Sequence, residues 1–295
     1  MLFRRTGKDR FFDWLIRLAL FGALLVTLIP FLYVLAISLL GEAEYGTRGL
    51  VIPSRPTLEN YIMFVRWGTK LKDGYTATLY ITLVGTALAL LFTSLLAYGL
   101  SKSWLPGRNW INGLLVFTMF FGGGLIPTYM VIKSLGLLNS WWAIILPGTL
   151  SVWNTMLMRT FFKQIPIELE ESAKLDGAGD FTIAFRVIFP LSKASFATIG
   201  LFYAVGYWNT WFSAMLYLND ARMYPLQMAL RDIIVSNAQA LDPKQMASGL
   251  GKIKTPPSTV IKMTAIMYTI GPILVVYPFI QKYFVRGVLV GSLKG

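Results

Sequence analysis

The sequence predicts an all-α, polytopic membrane protein with six transmembrane helices. Three observations predict it. Several apolar runs exceed the roughly 18 residues that a bilayer-spanning helix needs. Hydrophobic residues make up 55% of the 295-residue chain and charged residues only 14%, so a length that could hold one or two soluble domains is given to spans instead. The short loops differ in charge: Lys102 and Arg108 share one, while Lys133 stands alone in the next. That bias places the first inside and the second outside.

Taken in order, residues 1–13 form a basic cytoplasmic tail with Arg4, Arg5, Lys8 and Arg10. The first span runs from about Trp14 to Leu40; it is too long for a signal peptide, and no small-residue cleavage site follows. Residues 41–76 form an external loop, where Pro53 and Pro56 argue against one long helix and a short helix fits near Leu58 to Val65. The second span covers about Ala77 to Leu100 and the third Trp110 to Ile132, where Gly122-Gly123-Gly124 and Pro127 should bend the helix. The fourth covers Trp141 to Phe161, and a polar cytoplasmic loop, 163–193, follows. The fifth covers Ser195 to Leu218. An external segment, 219–257, leads to the sixth, Ser258 to Phe284, and to a cytoplasmic tail, 285–295. The six-span domain is thus 14–284.

Absences narrow the function. Cys and His are both missing, which removes disulfides, thiol chemistry, the commonest metal ligand and the commonest general base. No metal site is expected. Between Asp73 and Glu168 there is no carboxylate, and the fifth and sixth spans hold none. Proton-coupled carriers need ionisable groups in the membrane, so proton coupling is strongly disfavoured. Sodium sites built from backbone carbonyls stay open. No phosphate loop of the Gly-x-x-x-x-Gly-Lys-Ser/Thr type is present, so the chain has no ATPase site of its own. The net charge of +13 would suit nucleic acid, but in a membrane protein topology explains it, and no nucleic-acid partner is expected.

The 163–193 loop is a polar island between apolar segments. It has the marks of a short helix, a break and a second short helix. Pro166 suits a first helical position. Glu168, Glu170 and Glu171 fall in the first turn, where the helix dipole favours negative charge. Gly177 can supply a left-handed stop, and Pro190 restarts the chain. An acidic first turn of this kind can dock in a cleft of a partner protein, with Glu171 pairing to a cation there.

The spacing Glu171-Ser172-Ala173, three residues, Gly177, nine residues, then Val187-Ile188-Phe189-Pro190 resembles the EAA motif of ATP-binding-cassette (ABC) importer permeases. Ser172, Val187 and Phe189 depart from that pattern by small substitutions. The resemblance extends over nearly the whole chain. The stretches Gly123 to Tyr129, Trp208 to Trp211, and Tyr283 to Gly287 with Lys294-Gly295 are similar to those of carbohydrate-uptake permeases, the maltose-transporter-like and within them LplC-like group, including importers of alginate or other polysaccharide fragments. It implies a type I ABC importer permease fold and a transport role in the bacterial cytoplasmic (inner) membrane, both termini cytoplasmic. It implies that Glu171, Ser172, Ala173, Asp176, Gly177 and Pro190 serve ATPase coupling, and that tail residues Gly291, Lys294 and Gly295 reach the ATPase interface. It also implies partners: a second, homologous permease as a heterodimer, two ATP-binding subunits that carry ATP and magnesium, and an extracytoplasmic solute-binding protein. No cofactor is implied in this chain itself.

Sugar pathways pair aromatic platforms with polar groups. Tyr207, Trp208 and Trp211 can share a face at helical spacing, with Asn209 as the polar handle. Interfacial or lipid-facing aromatics explain the same residues, and both readings stay open. The external loops are net basic, which suits an acidic oligosaccharide such as a uronate fragment or, equally, an acidic binding protein. The leading function is the permease subunit of an ATP-driven, binding-protein-dependent sugar or oligosaccharide importer. The rival readings are a passive channel, a non-transporting membrane scaffold, and the same importer architecture carrying an anion or amino acid.

Overall fold

Residues 7–41, 44, 52–67, 69–239 and 259–275 are described by a computed structural model, and every regular element among them is helical. They fall into two compact units: residues 1–68 with 233–271, and 69–232 with 272–295.

In the first unit, α1 (Gly7–Ser38) is a long apolar helix with Phe11, Trp14, Phe21 and Val26 all exposed. Exposure of that kind is what lipid accepts and water does not. The helix stops because its last carbonyls find other partners. Asn60, at the start of α2 (Glu59–Trp67), donates its amide to Ser38 O (3.1 Å) and Leu40 O (2.8 Å). Buried carbonyls at a helix end need such donors. The Thr264 hydroxyl of α14 (Thr259–Val275) also reaches Ser38 O, at 3.4 Å, and Ile37 and Leu40 pack with Val260.

The second unit is built around α3 (Thr69–Ser101), which packs along α7 (Val152–Phe162) and α11 (Lys193–Trp208). Its packing face is small: Ala77, Ala89 and Ala97 are fully buried, with Ile81 and Leu100 between. Small residues let membrane helices approach closely. Gly85 shows why, since a Cβ there would lie 2.7 Å from the ring of Tyr207. The Tyr207 hydroxyl crosses to α6 (Trp142–Gly148) and donates to Ile145 O (3.0 Å), beside Gly148. One turn earlier, the Tyr203 hydroxyl bonds Thr93 Oγ1 (2.6 Å) and accepts the Ser151 N–H (2.9 Å). The two tyrosines thus tie α11 to α3 and to the α6–α7 break.

The remaining elements are α4 (Arg108–Phe120), α5 (Leu125–Ser134), α8 (Glu168–Leu175), α9 (Asp180–Ile183), a π-turn (Ala184–Ile188), α10 (Phe189–Leu191), α12 (Phe212–Tyr217), a 3-10 turn (Ala221–Met223) and α13 (Leu226–Gln239). The Leu226 N–H is held by Thr78 Oγ1 at 2.8 Å.

Several expected boundaries are corrected. Two helices, Phe11–Ser38 and Lys72–Ser101, are long and apolar enough to cross a membrane; four spans result if each of two bent pairs counts as one. Six are not found among the described residues. The second helix begins at Thr69, so residues 69–76 are helix rather than loop. The expected bend in the third span is a 114° change of direction between α4 and α5, across three glycines in a row, the last of which, Gly124 at φ +86°, precedes α5. The fourth span is not continuous: Pro147 and Gly148 close α6, and Ser151 caps a new helix by accepting the Asn154 N–H. The fifth helix stops at Trp208, short of Leu218.

Gly85→Ala should lower the thermal unfolding temperature of the detergent-solubilised protein, at a cost of about 1–3 kcal/mol from overpacking. Gly22→Ala, on a face open to 4 Å, should leave it unchanged.

Candidate coupling elbow and substrate cleft

The 163–193 segment folds as a helix, a turn and a second bent helix. Pro166 lies just before the cap residue Ile167 rather than in the first turn, and Ile167 O accepts the N–H groups of Glu170 (2.9 Å) and Glu171 (3.0 Å). α8 ends in a paired motif. The Ala178 N–H returns to Ala173 O (2.9 Å) and the Gly177 N–H to Lys174 O (3.0 Å), with Gly177 at φ +79°. This double closure needs a left-handed residue, which glycine adopts without strain. Ala173 and Ala178 are half-buried and pack on the core beneath.

Pro190 does not restart the chain after a break. It lies inside a helical run whose preceding turn is widened: the Phe189 N–H bonds Ala184 O across a π-turn. A proline supplies no N–H and crowds the previous turn, so a local change of register accommodates it. The run Asp180–Leu191 then meets α11 at 84°. Phe189 braces this elbow, stacking on Phe162 (5.8 Å, 19°) and meeting Phe196 (5.1 Å) and Phe185 (4.9 Å) edge-on.

The strongest tie of the elbow to the bundle is an ion pair between Lys102 Nζ and Glu170 Oε1, with side chains only 9% and 12% exposed. Lys102 also lies over the Tyr98 ring, 4.3 Å from its centroid. A second, looser tie puts Lys174 over Trp104 at 5.8 Å. Glu170 was legible only as one of three acids in a first turn, and Lys102 only as a topology marker. Their pairing, across 68 positions, has no local signature.

Of the residues expected to couple, Glu171, Ser172, Asp176, Gly177 and Pro190 are exposed, and Ala173 turns inward. The outward side of the elbow also shows Leu175 (90% exposed) and Phe181 (76%). Gly291, Lys294 and Gly295 lie outside the described residues.

The aromatic face expected at Tyr207, Trp208 and Trp211 is split, because the helix ends at Trp208. Tyr207 is buried in the bundle. Trp208 meets Tyr75 edge-on at 6.5 Å, and its Nε1 has no hydrogen-bond partner among the described residues. Asn209 and Trp211 are exposed; the Asn209 amide donates to Val205 O (2.9 Å), and the Arg231 guanidinium lies 5.5 Å from the Trp211 ring. Nearby, Arg222 holds the Asp220 carboxyl below the usual carboxylate range, chiefly by a side-chain hydrogen bond.

Sequence reasoning missed a cleft of about 510 Å³ among α5, α6, α7, α11 and α12. Thr128, Ser151, Asn154, Thr210 and Ser213 line it, with Tyr203, Tyr207 and Tyr217. Pro147, Gly148 and Ser151, from the break between α6 and α7, are part of its lining. Among the described residues no group of His, Cys, Asp or Glu is placed to hold a metal ion.

Removing one partner of the Lys102–Glu170 pair leaves a buried charge alone, so Lys102→Ala or Glu170→Ala should each cost about 3 kcal/mol in thermal unfolding. The apolar double variant Lys102→Met/Glu170→Leu should recover most of that. Additive losses in this cycle would show that the pair does not interact.

No family model matches the chain. The polygalacturonan/rhamnogalacturonan transport system permease protein YtcP of Bacillus subtilis (strain 168) is 44% identical over 290 residues, 98% of this chain and 100% of its own. Protein LplC of the same strain is 44% identical over 292 residues, 98% of this chain and 97% of its own. Among solved structures, a chain of a bacterial ABC transporter involved in the import of the acidic polysaccharide alginate superposes with a TM-score of 0.85 and 31% identity, covering 95% of this chain and 99% of that one. The helical elbow carrying the EAA spacing, the polar cleft between broken helices and this near-full-length likeness lead to one conclusion: the chain belongs to the permease subunits of carbohydrate-importing ABC transporters.

Proposed function

We propose that this chain is one half of the pore of a binding-protein-dependent importer for a uronate-bearing oligosaccharide. The observation that carries the reading is the build of α8. Its inner side is locked to α3 through Glu170, and its outer side presents Glu171 with exposed Leu175 and Phe181. An exposed acid beside apolar side chains suits a cleft in a partner protein, and a rigid tie behind it passes force to the longest helix of the second unit.

In this reading the bundle has six spans with both termini on the cytoplasmic side of the bacterial inner membrane. The second permease is a different chain. Two ATP-binding subunits carry ATP and magnesium, so this chain has no enzymatic activity of its own. Closure of the ATPases pushes α8, and the elbow at Ser192 converts the push into movement of α11 against the cleft. Alternating access then comes from rocking about a site near the bilayer midplane. The Gly291–Gly295 tail would add a second ATPase contact.

The acidic substrate is supported by two relatives named for acidic polysaccharides, and by Arg231 lying 5.5 Å from the Trp211 ring. A ring face on Trp211 with its carboxylate on Arg231 would greet a uronate at the mouth. The cleft hydroxyls and Asn154 would take the sugar hydroxyls within.

Glu171→Ala should cost about 2–5 kcal/mol of docking to the ATPase subunits. Sugar-stimulated ATP hydrolysis in proteoliposomes and co-purification of the ATPases read it; unchanged values in both would defeat the coupling role and favour a channel or scaffold. Trp211→Ala and Arg231→Gln should each raise the KM for oligogalacturonate uptake about fivefold, as expected of about 1 kcal/mol per surface contact. A neutral oligosaccharide should not feel the Arg231 change.

A further inference from the structure

Three cations gather where the ends of α3, α4 and α7 meet. Arg108 opens α4, Arg159 is in the last turn of α7, and Lys163 is the residue that caps α7. The two guanidinium groups are anchored on α3: Arg159 Nε donates to Leu100 O (2.9 Å) and Arg108 Nη1 to Lys102 O (3.2 Å). These bonds cap the open carbonyls of the α3 terminus. Arg159 Nη1 also meets Met156 Sδ at 3.9 Å, and each group keeps N–H donors for another acceptor. Lys163 is exposed beside them. The charge of Arg159, then burial, then the charge of Arg108 hold its pKa below the ordinary lysine value.

Nothing described in the protein neutralises the cluster. The ion pairs among the described residues are Lys102–Glu170, Arg222–Asp220 and Arg231–Asp232, and none includes these three. Glu170, on the neighbouring α8, is held by Lys102. Fixed like charges with no counter-charge are a cost unless an anion joins them. The flanks are those of a membrane boundary: Trp104 is 53% exposed, Trp110 is 87% exposed, and α4 buries none of its residues as it runs on through Leu114 and Phe117. Tryptophans mark the headgroup level, and basic pockets between helices on the cytoplasmic side hold anionic headgroups.

We propose that Arg108, Arg159 and Lys163 form a binding site for the phosphate group of an anionic phospholipid of the cytoplasmic leaflet. The guanidinium pair supplies planar, paired N–H donors that match phosphate oxygens, and Lys163 closes the site as a movable third charge. Bound lipid would offset one of the three charges directly beside the Lys102–Glu170 tie, so the headgroup would steady the base of the coupling elbow. The inference goes beyond the transport reading and rests on it only for the side of the membrane.

The test uses the full-length protein, with whatever subunits it brings, in phosphatidylcholine nanodiscs doped with spin-labelled phosphatidylglycerol. Both leaflets carry the label, so the result does not depend on topology. The wild type should select phosphatidylglycerol over phosphatidylcholine. Lys163→Gln should cut that selectivity about fivefold, the worth of about one interfacial cation, and Arg108→Gln/Lys163→Gln should cut it further. Lys163→Arg should keep it, as should Lys193→Gln, which removes an exposed cation at the start of α11. Lys163 is exposed, so its variants fold, and an unchanged unfolding temperature verifies this. Equal losses in Lys163→Gln and Lys193→Gln would overturn the site in favour of diffuse surface charge. Displacement of the lipid by millimolar inorganic phosphate would assign the cluster to a soluble anion instead. Release of a co-purifying subunit by Lys163→Gln, with lipid selectivity intact, would make it a protein contact.

Discussion

The buried pair of Lys102 and Glu170 is the constraint on which the elbow end of this protein depends. Lys102 stands just past the last turn of α3, over the Tyr98 ring and nearly closed to solvent. A cation in such a place is costly unless paired, and no carboxylate precedes it back to Asp73 or follows it before Glu168. The charge is therefore met only if α8 folds back over the end of α3. That forces the chain to close a loop of 68 positions and fixes which side of α8 faces in. Glu171, one residue further along, is turned out by the same geometry. The pair in effect decides which acid is structural and which is free for a partner.

The bundle above it solves a different problem. Lipid gives apolar side chains no reason to leave it, so helices must be held by close packing and by polar contacts between them. Alanines and glycines on α3 supply the closeness, and Tyr203 and Tyr207 the contacts. Each tyrosine hydroxyl ends on an atom near the α6–α7 break, Ile145 O for one and the Ser151 N–H for the other. Broken helices expose backbone groups, and here the break is where the two tyrosines bind. The same breaks let polar side chains line a cleft, so the device that satisfies the backbone also makes room for a hydrophilic cargo.

Much of this was legible in the sequence where a residue acts locally. Gly177 ends α8 because a left-handed residue was needed three positions after Lys174, and the triple glycine at 122–124 announces a bend by composition alone. Hydrophobic length gave the two long helices, though not where they begin, because Lys70, Lys72 and Asp73 continue a helix as readily as a loop. Pairings between distant elements left no such mark. Glu170 and Glu171 are chemically the same letter, and only the three-dimensional position of Lys102 separates them. Spacing on an unbroken helix would group Tyr207, which lines the cleft, with Trp211. The helix ends at Trp208 with the Asn209 N–H bonded back to Val205 O, and the two rings part. The role of Phe189 was likewise hidden: it reads as a substitution for leucine, yet its ring is what Phe162, Phe185 and Phe196 pack against.

The scarcity of acids ties these features together. From Gly74 to Ile167 the chain carries Lys102, Arg108, Lys133, Arg159 and Lys163 and no carboxylate. A membrane segment so composed cannot relay protons through side-chain acids, and a mechanical contact from a partner is the drive that the proposed coupling role would supply. It also cannot balance its own charge at the cytoplasmic end. One cation takes Glu170, and two guanidinium groups turn to the carbonyls of α3, which carry partial but not full charge. The remaining imbalance is what the proposed lipid phosphate would meet. The proposed coupling and the proposed lipid contact would thus share one origin, a stretch of nearly a hundred residues without acids.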